Sequence, residues 1–210
     1  MVTTTDLPPR PPAARPPGRP LSTELSEQLV AVAMDILADE GWGRLNSDRV
    51  AARARAGKAG IYRRWPTMAA LARHALGTTT LVAVPADSGS LTTDLCHLLL
   101  PWTRPLDRAE RAAASLMGAA RHDEDLRAGL EESLVRPLAG AVRELAARES
   151  TRGRELPHER VALLGQVLQA LWWERYTSFS AAPMRTPQVE QLVADVLLPI
   201  IDPDGARAGR

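Results

Sequence analysis

Residues 41–71 read GWGRLNSDRVAARARAGKAGIYRRWPTMAAL, and this stretch decides the fold of the N-terminal part of the chain. Asn46 is a favourable N-cap, so a short helix is expected to begin directly after it. A turn at residues 56–57 leads into a second short helix that runs to Trp65. Pro66 then ends this helix, and another begins. Two very short helices in succession are typical of a helix-turn-helix domain.

The sequence on either side completes such a domain. Upstream, Ser22 or Thr23 is expected to cap a helix with apolar residues at helical spacing, which ends at Gly41. Downstream, Gly77 closes a fourth helix that links to the rest of the chain. The predicted core of the domain consists of Leu37, Leu45, Val50, Ile61, Tyr62, Trp65 and Leu71.

The remaining chain shows helical apolar periodicity and no alternating strand pattern, so the predicted fold class is all-α. Pro137 is expected to kink the long helix in which it lies. The helix near 157–180 is apolar nearly all round and is expected to be covered on both sides. After a loop at 84–89, helices are predicted near 91–101, 108–121, 123–149, 157–180 and 186–200.

The formal net charge of +1 hides an asymmetry along the chain. Residues 1–80 contain 11 Lys and Arg against 7 Asp and Glu, whereas residues 81–210 contain 15 against 18. The cations are densest between residues 44 and 65, where they face Asp48 alone. A basic part joined to an acidic remainder indicates a polyanion-binding module attached to a second domain.

The stretch at residues 41–71 resembles the DNA-binding signature of the TetR/AcrR (tetracycline-repressor) family. With the preceding GRP and capped helix, the resemblance covers about 55 residues. The rest of the chain resembles the family's all-helical ligand-binding domain more loosely, in its length and in the segment RHDEDLRAGLEESLVRPL. The features that recur in register are the aromatic after Gly41, Val50-Ala51, Ile61-Tyr62, the run Arg63-Arg64-Trp65-Pro66, and Leu71.

The resemblance implies a division of the chain into four segments. Residues 21–78 form a three-helix helix-turn-helix DNA-binding domain with its linking fourth helix, and residues 79–202 form a larger helical domain for ligand binding and dimerisation. The Pro/Arg-rich residues 1–20 are predicted to be a disordered arm, and residues 203–210 a flexible tail. By the same resemblance, the last two long helices pair with their copies in a four-helix bundle across a two-fold axis.

A short helix that enters the major groove needs small residues at its first turn, free backbone amides and flanking cations. Residues 57–60 present such a surface. Tyr62 is expected to place its hydroxyl on a phosphate while its ring packs inward; the alternative is that it is simply a core aromatic. Asn46 and Thr67 are expected to contact phosphate as well; the alternative is that they act only as helix caps. The predicted DNA-binding residues are Asn46, Arg55, Gly57, Lys58, Ala59, Gly60, Tyr62, Arg63 and Thr67.

The recognition region departs from the family pattern. The family usually has Gly, Val and Ser where this chain has Arg55, Ala56 and Gly57, Thr where it has Gly60, and a cation where it has Met68. Each glycine in the recognition helix costs about 1 kcal/mol of helix propensity relative to Ala. The missing hydroxyls and cation also remove phosphate contacts, so the domain is expected either to bind DNA more weakly or to become ordered only on binding.

The arm offers a way to compensate for these losses. We hypothesise that its arginines, together with Arg55, lie along the phosphate backbone or in the adjacent minor groove. The alternative is that the arm is only a solubilising tail. The arginines of the arm are Arg10, Arg15 and Arg19.

Aromatic and adaptable apolar side chains in the second domain suit a cavity for an apolar or aromatic small molecule. Each of them is also explained by ordinary core packing. The predicted ligand-binding residues are Trp102, Leu116, Met117, Leu134, Trp172, Trp173, Tyr176 and Phe179.

Enzyme, metal and cofactor chemistry is not expected. The four histidines show no metal-ligand spacing, no glycine-rich phosphate loop is present, and Cys96 and His97 diverge on a helix. His122 to Asp125 form a helix cap with a negative first turn rather than a metal site. The single cysteine, and the lack of a secretory signal or an apolar stretch of membrane-spanning length, favour a cytoplasmic protein.

The sequence therefore predicts a homodimeric repressor that binds a double-stranded DNA operator and is released by a small apolar or aromatic effector. The alternative is a ligand-binding or interaction module of the same fold whose operator binding is weakened or lost. The effector, the operator sequence and the regulated genes do not follow from the sequence.

Overall fold

The computed structural model describes residues 22–178 and 182–201. The predicted arm at 1–20, the tail at 203–210 and Phe179 lie outside these residues. Within the described ranges the chain is helical and contains no β-strand, which confirms the all-α prediction. The helices are α1 (Thr23–Asp39), α2 (Ser47–Arg53), α3 (Lys58–Tyr62), α4 (Met68–Gly77), α5 (Leu91–Leu98), α6 (Arg108–Leu116), α7 (Glu124–Leu130), α8 (Arg136–Thr151), α9 (His158–Thr177), α10 (Thr186–Leu192) and α11 (Leu198–Ile201).

Side-chain caps fix the starts of α1, α2 and α4. Ser22 caps α1. The backbone N–H of Arg49 donates to Asn46 Oδ1 at 2.9 Å, and that of Ala70 donates to Thr67 Oγ1 at 2.9 Å. Each cap satisfies an N–H that has no acceptor within its helix, which is worth about 1 kcal/mol. The cap positions predicted from the sequence are confirmed.

The core of the N-terminal helices matches the prediction except at Tyr62. That side chain is 50 % exposed, so its assignment to the core is wrong and its ring lies half in solvent. Its neighbour Ile61 is fully buried. Successive residues of a helix point about 100° apart, so the two cannot share the buried face. The other predicted core residues, Leu37, Leu45, Val50, Ile61, Trp65 and Leu71, are buried.

Two π-helical turns interrupt the long helices, and each precedes a proline. The turn Glu131–Val135 joins α7 to α8 just before Pro137, and the turn Val193–Leu197 joins α10 to α11 just before Pro199. Proline supplies no N–H and its ring crowds the carbonyl four residues earlier, which a wider turn accommodates. The distortion expected at Pro137 therefore takes the form of a π turn.

Several helices are shorter than their predicted spans. Helix α3, expected to run to Trp65, ends at Tyr62, and α9, expected near 157–180, ends at Thr177. The helix expected at 91–101 ends at Leu98, where a 3-10 turn containing Pro101 follows. The helix expected at 108–121 ends at Leu116 and continues as a 3-10 turn over Ala119–Arg121. Among the described residues, no helix has both the length and the apolar character needed to cross a bilayer.

Helix α1 is fastened to α6 by two arginines of α6. The guanidinium of Arg108 contacts Asp35 at 2.6 Å and donates to the carbonyl of Ala31 at 2.7 Å. Arg111 contacts Asp39 at 3.2 Å. The N-terminal helices and the larger helical part share one continuous apolar core. The domain boundary after residue 78 stays a prediction.

Helix α4 contacts both α1 and α7, so it belongs to the packing of both parts of the chain. It lies close to α7 at Gly129, where an added Cβ would lie 3.2 Å from the Cα of Arg73. The Arg73 side chain contacts Glu132 and lies 3.5 Å from Asp125. A hydrogen bond and the positive charge of Arg73 lower the pKa of Glu132.

One face of α9 is open in the single chain. Ala162, Gln166 and Ala170 are exposed, and Leu163 is 41 % exposed. The opposite face carries the fully buried Trp172. The expectation that this helix is covered on both sides is thus not met within one chain, because the elements α6, α8 and α11 pack against only part of its circumference.

We predict that Gly129→Ala destabilises the fold by about 1 kcal/mol. The new methyl group overpacks the α4–α7 contact, typically at a cost of about 1–3 kcal/mol, which outweighs a gain in helix propensity of about 1 kcal/mol. Urea unfolding followed by circular dichroism measures the change. Gly140→Ala is the matched control in α8, where an added Cβ would meet only Arg143 Nη2, at 4.0 Å. It should stabilise the fold by about 0.5–1 kcal/mol. Equal effects of the two substitutions would contradict the close packing.

Candidate nucleic-acid interface and effector-binding region

Helix α3 is short and presents small residues to solvent. Gly57 is its N-cap and forms no side-chain cap hydrogen bond. Lys58 and Ala59 are exposed, and Gly60 is partly buried. An added Cβ at Gly60 would meet Arg64 Nη1 at 3.7 Å, an ordinary contact, so close packing does not require this glycine.

Several of the cations around α3 are already paired. Arg49 and Arg53 both contact Glu40, and Lys58 Nζ lies 2.5 Å from Asp48. The hydrogen bond and charge of Asp48 raise the pKa of Lys58. The sequence predicted that Asp48 is the only acid near these cations, and this prediction is wrong. Glu40, which lies four residues before Arg44, pairs with two of the arginines.

Arg64 has a structural role instead. Its Nε donates to Ser26 Oγ at 2.8 Å, its Nη1 to the carbonyl of Gly60 at 2.8 Å and its Nη2 to the carbonyl of Ser22 at 3.1 Å. These bonds tie the end of α3 to the start of α1. Arg64 thus positions α3 against the first helix.

Arg44, Arg55 and Arg63 are exposed and have no carboxylate partner within residues 22–178 and 182–201. Their charges are not offset by the protein and are available to an external anion. Tyr62, half exposed, lies beside Arg63 at the end of α3.

The caps Asn46 and Thr67 retain donors for such an anion. Capping uses the acceptor oxygen of each side chain, so the Thr67 hydroxyl hydrogen stays available, as does one N–H of the Asn46 amide. The other amide N–H of Asn46 faces the carbonyl of Arg44 at 3.4 Å. Of the predicted DNA-binding residues, all are exposed except the partly buried Gly60.

Arg55 adopts a left-handed backbone conformation in the turn between α2 and α3, with φ of +49°. Among the described residues it is the one non-glycine with positive φ. For a residue with a Cβ this conformation costs about 1–2 kcal/mol. The positive φ at position 55 favours glycine, which is the residue that the family usually has there. This chain instead has an arginine without a carboxylate partner among the described residues.

The predicted effector residues do not line one common cavity. Leu116 and Leu134 are fully buried in the core. Met117 and Trp173 line a cavity of about 230 Å³ beside the π turn that follows α7. Trp172 lines a different cavity, of about 350 Å³.

Trp102 and Trp172 meet in an edge-to-face contact, with ring centroids 4.1 Å apart and planes at 88°. The guanidinium carbon of Arg175 lies 5.4 Å from the centre of the Trp102 ring. Such stacking holds both indoles in fixed orientations.

A buried ion cluster below these rings was missed by the sequence reasoning. The carboxylate of Glu110, 1 % exposed, lies 2.5 Å from Arg104 and 3.3 Å from Arg175. It also accepts a hydrogen bond from the backbone N–H of Asp107, which completes a capping box at the start of α6. Asp107 and Glu110 have the capping-box spacing, which was a usable signal, but nothing in the sequence assigned Arg175 to them.

Three polar atoms on one face of α9 are buried and lack a hydrogen-bond partner among the described residues: Trp172 Nε1, Arg175 Nε and Tyr176 Oη. Burial raises the pKa of the Tyr176 hydroxyl, and the charge of Glu110 adds to the effect. Each buried unsatisfied group costs about 1–3 kcal/mol. Three such groups lie within five residues here, so a bound molecule could supply the missing hydrogen-bond partners.

We predict that Arg55→Gly stabilises the fold by about 1 kcal/mol, because glycine adopts positive φ without the Cβ penalty. Thermal or urea unfolding measures the effect. Arg44→Gly is the matched control, since Arg44 is also an exposed and unpaired arginine but lies in a 3-10 turn with negative φ. It should leave stability unchanged or lower it. Destabilisation by Arg55→Gly would show that the turn is not strained.

Comparisons with known proteins identify the family. Residues 29–75 match the model described as bacterial regulatory proteins, tetR family, and residues 85–196 match the model described as tetracyclin repressor-like, C-terminal domain. The chain is 32 % identical over 185 residues to the DNA-binding transcriptional repressor TetR of Mycobacteroides abscessus, covering 87 % of this chain and 96 % of that protein. An uncharacterised helix-turn-helix regulator of Mycobacterium bovis is 45 % identical over 83 residues, which is 39 % of each chain.

Solved structures agree in fold. A TetR-family regulator from a Rhodococcus species superposes with a TM-score of 0.60 at 14 % identity, over 85 % of this chain and 99 % of that one. A second, from Mesorhizobium loti, gives 0.61 at 14 % identity, over 84 % and 96 %. Together with the matches along both parts of the sequence, these findings show that the chain belongs to the tetracycline-repressor family of bacterial transcriptional regulators.

Proposed function

We propose that this regulator is a homodimeric repressor, acting in the cytoplasm, that binds a DNA operator through α3 and its surroundings and leaves it when a small apolar or aromatic effector binds. The observation that carries the proposal is the group of unpaired arginines, Arg44, Arg55 and Arg63, beside the exposed helix α3. The related protein of M. abscessus is itself named a repressor, which supports the direction of the effect.

DNA binding is proposed to divide between base-reading and phosphate contacts. The small residues Gly57, Ala59 and Gly60 let the backbone of α3 approach the floor of the major groove. The unpaired arginines and the hydroxyls of Tyr62 and Thr67 bind phosphates on either side and fix the register. Lys58 exchanges its exposed partner Asp48 for phosphate at little cost, because solvent screens an exposed ion pair.

Dimerisation is proposed to use the open face of α9 together with α10 and α11. Leu163 and Val196 are 41 % and 42 % exposed, and an apolar surface of this kind is stabilised when a second copy covers it. A two-fold dimer places two copies of α3 in successive major grooves of a palindromic operator.

Release is proposed to pass through α4. This helix follows α3 directly and is held to α7 by the glycine contact at Gly129 and by the pairing of Arg73 with Glu132 and Asp125. A shift of α7 on effector binding therefore moves α4 and changes the separation of the two DNA-binding heads. A coupling free energy of about 1–3 kcal/mol is sufficient to change operator occupancy.

A sensor or interaction module with weakened operator binding is the second candidate. The observation that favours it is that α3 has only five residues and contains Gly60, with a glycine also as its cap. Steep dependence of duplex affinity on salt favours the repressor, because log affinity falls by about 0.9 per phosphate contact for each tenfold rise in salt. Salt-insensitive or absent binding favours the module.

We predict that duplex selection from a random or genomic pool recovers a palindromic motif, and that Lys58→Ala and Tyr62→Ala weaken binding to it. Each substitution removes a proposed phosphate contact, so the salt slope of log affinity should fall by about 1 for Lys58→Ala. Fluorescence anisotropy at two salt concentrations measures both quantities.

The control for this experiment is Arg136→Ala in α8. This substitution also removes one positive charge from the protein, and the Arg136 side chain is 68 % exposed. It should leave affinity and salt slope nearly unchanged. Recovery of no motif by a folded dimer, or equal loss in the control, would contradict the proposed interface.

We predict that Leu163→Glu weakens the dimer by a factor of about ten or more, because two-fold symmetry places two new carboxylates in one apolar interface. Sedimentation equilibrium measures the dissociation constant. Val84→Glu is the control, since Val84 is 46 % exposed but lies in the segment between α4 and α5 and not on α9, α10 or α11. If both variants dimerise like the unaltered chain, α9 is not the interface.

A further inference from the structure

We propose that the effector site is the cavity of about 350 Å³ between the segment 81–86, the end of α5 and α9, and that its ligand is a compact neutral molecule with an apolar body and an acceptor oxygen bound by Trp172 Nε1. This inference rests on the proposed function, since it names the site and the chemical class of the effector.

The lining of the cavity selects against charged ligands. His97, at its exposed rim, is the one titratable side chain among the described residues that line it. A ligand carboxylate or ammonium group in contact with the rest of the lining would therefore lose its hydration without gaining an ionic partner. Most of the wall is apolar, with contributions from Leu81, Val82, Leu98, Leu100 and Pro101.

Trp172 belongs to the lining of the cavity. This side chain is fully buried, and its Nε1 has no hydrogen-bond acceptor within the described chain. An indole N–H is a donor only, so its partner has to be an acceptor such as a carbonyl, ether or ester oxygen. The edge-to-face contact with Trp102 holds the donor in place before the ligand arrives.

The other unsatisfied atoms of α9 are less suited to bind this ligand. Arg175 already has Glu110 as an ionic partner, at 3.3 Å. Neither Arg175 nor Tyr176 belongs to the lining of this cavity. Among the described residues, Trp172 is the one that combines a buried donor lacking an acceptor with a place in the lining of this cavity.

The position of the cavity connects it to the DNA-binding helices. Its wall begins at Leu81, four residues after the end of α4. The far end of the same segment is anchored, because Arg148 donates to the carbonyl of Pro85 at 3.0 Å and to Asp94 at 3.2 Å. Ser88 also donates its backbone N–H to Asp94, at 2.9 Å. A ligand that displaces the segment therefore transmits the displacement towards α4 rather than towards α8.

Three probes of nearly equal shape test the inference. Acetophenone has a neutral acceptor oxygen, α-methylstyrene has no acceptor oxygen, and benzoate has a negatively charged carboxylate. The chain has 5 tryptophans, whose indole N–H signals are observable by ¹H–¹⁵N NMR. Trp172→Phe identifies the signal of Trp172, and Trp173→Phe, which alters the adjacent tryptophan in the other cavity, is the matched control.

The expected result is that acetophenone shifts the Trp172 indole signal downfield and binds about threefold to tenfold more tightly than α-methylstyrene, the gain from one hydrogen bond. Benzoate should bind more weakly than either. Trp172→Phe should remove the preference for acetophenone, whereas Trp173→Phe should retain it. If Trp172→Phe does not fold, Leu100→Ala, at a half-exposed wall position, should weaken acetophenone binding about threefold or more.

Equal affinity for acetophenone and α-methylstyrene, a shift of another indole signal, or no binding at millimolar concentration would overturn the inference. Duplex binding measured on the same sample separates failure of this effector site from failure of the proposed function. Intact operator binding without a Trp172 shift contradicts only this site, whereas loss of both contradicts the proposed function as well.

Discussion

The close approach of α4 to α7 joins the N-terminal helices to the larger helical part. An added Cβ at Gly129 would stand 3.2 Å from the backbone of Arg73, and the arginine side chain closes the same contact on Glu132 and Asp125. Since α4 also packs on α1, the DNA-binding helices and the larger helical part cannot move independently at this joint. A regulator needs such a joint, because an effector can act on DNA affinity only through an element whose position both parts determine.

Two residues at the surface around α3, Arg55 and Gly60, lower the stability of the fold beside a candidate binding site. Arg55 adopts a backbone conformation that glycine would adopt without strain, and Gly60 occupies a helical position where an added Cβ would meet no close contact. Both choices cost folding free energy, and each leaves the surface better suited to a polyanion, by adding a free cation or by leaving backbone accessible. Arg49 and Arg53, which pair with Glu40, and Arg64, which donates a hydrogen bond to Ser26, instead hold α2 and α3 in position.

Local signals in the sequence predicted most of the fold. Caps, apolar spacing and prolines act within one or two helical turns, so the starts of α2 and α4 and the buried faces of the N-terminal helices were predictable. Features that depend on distant partners were not. The pairing of Glu40 with two arginines and the burial of Glu110 against Arg175 join residues from different helices. For the same reason, the aromatic residues of the second domain were recognised as a group, but their distribution over separate cavities was not.

Hydroxyl-radical footprinting of the purified protein on a selected genomic duplex tests directly whether two copies of α3 bind one operator. Two protected backbone regions related by a dyad are expected, with their centres about 10 base pairs apart or a multiple of that distance. A single protected region, or no protection at concentrations where the protein is a folded dimer, would contradict this arrangement.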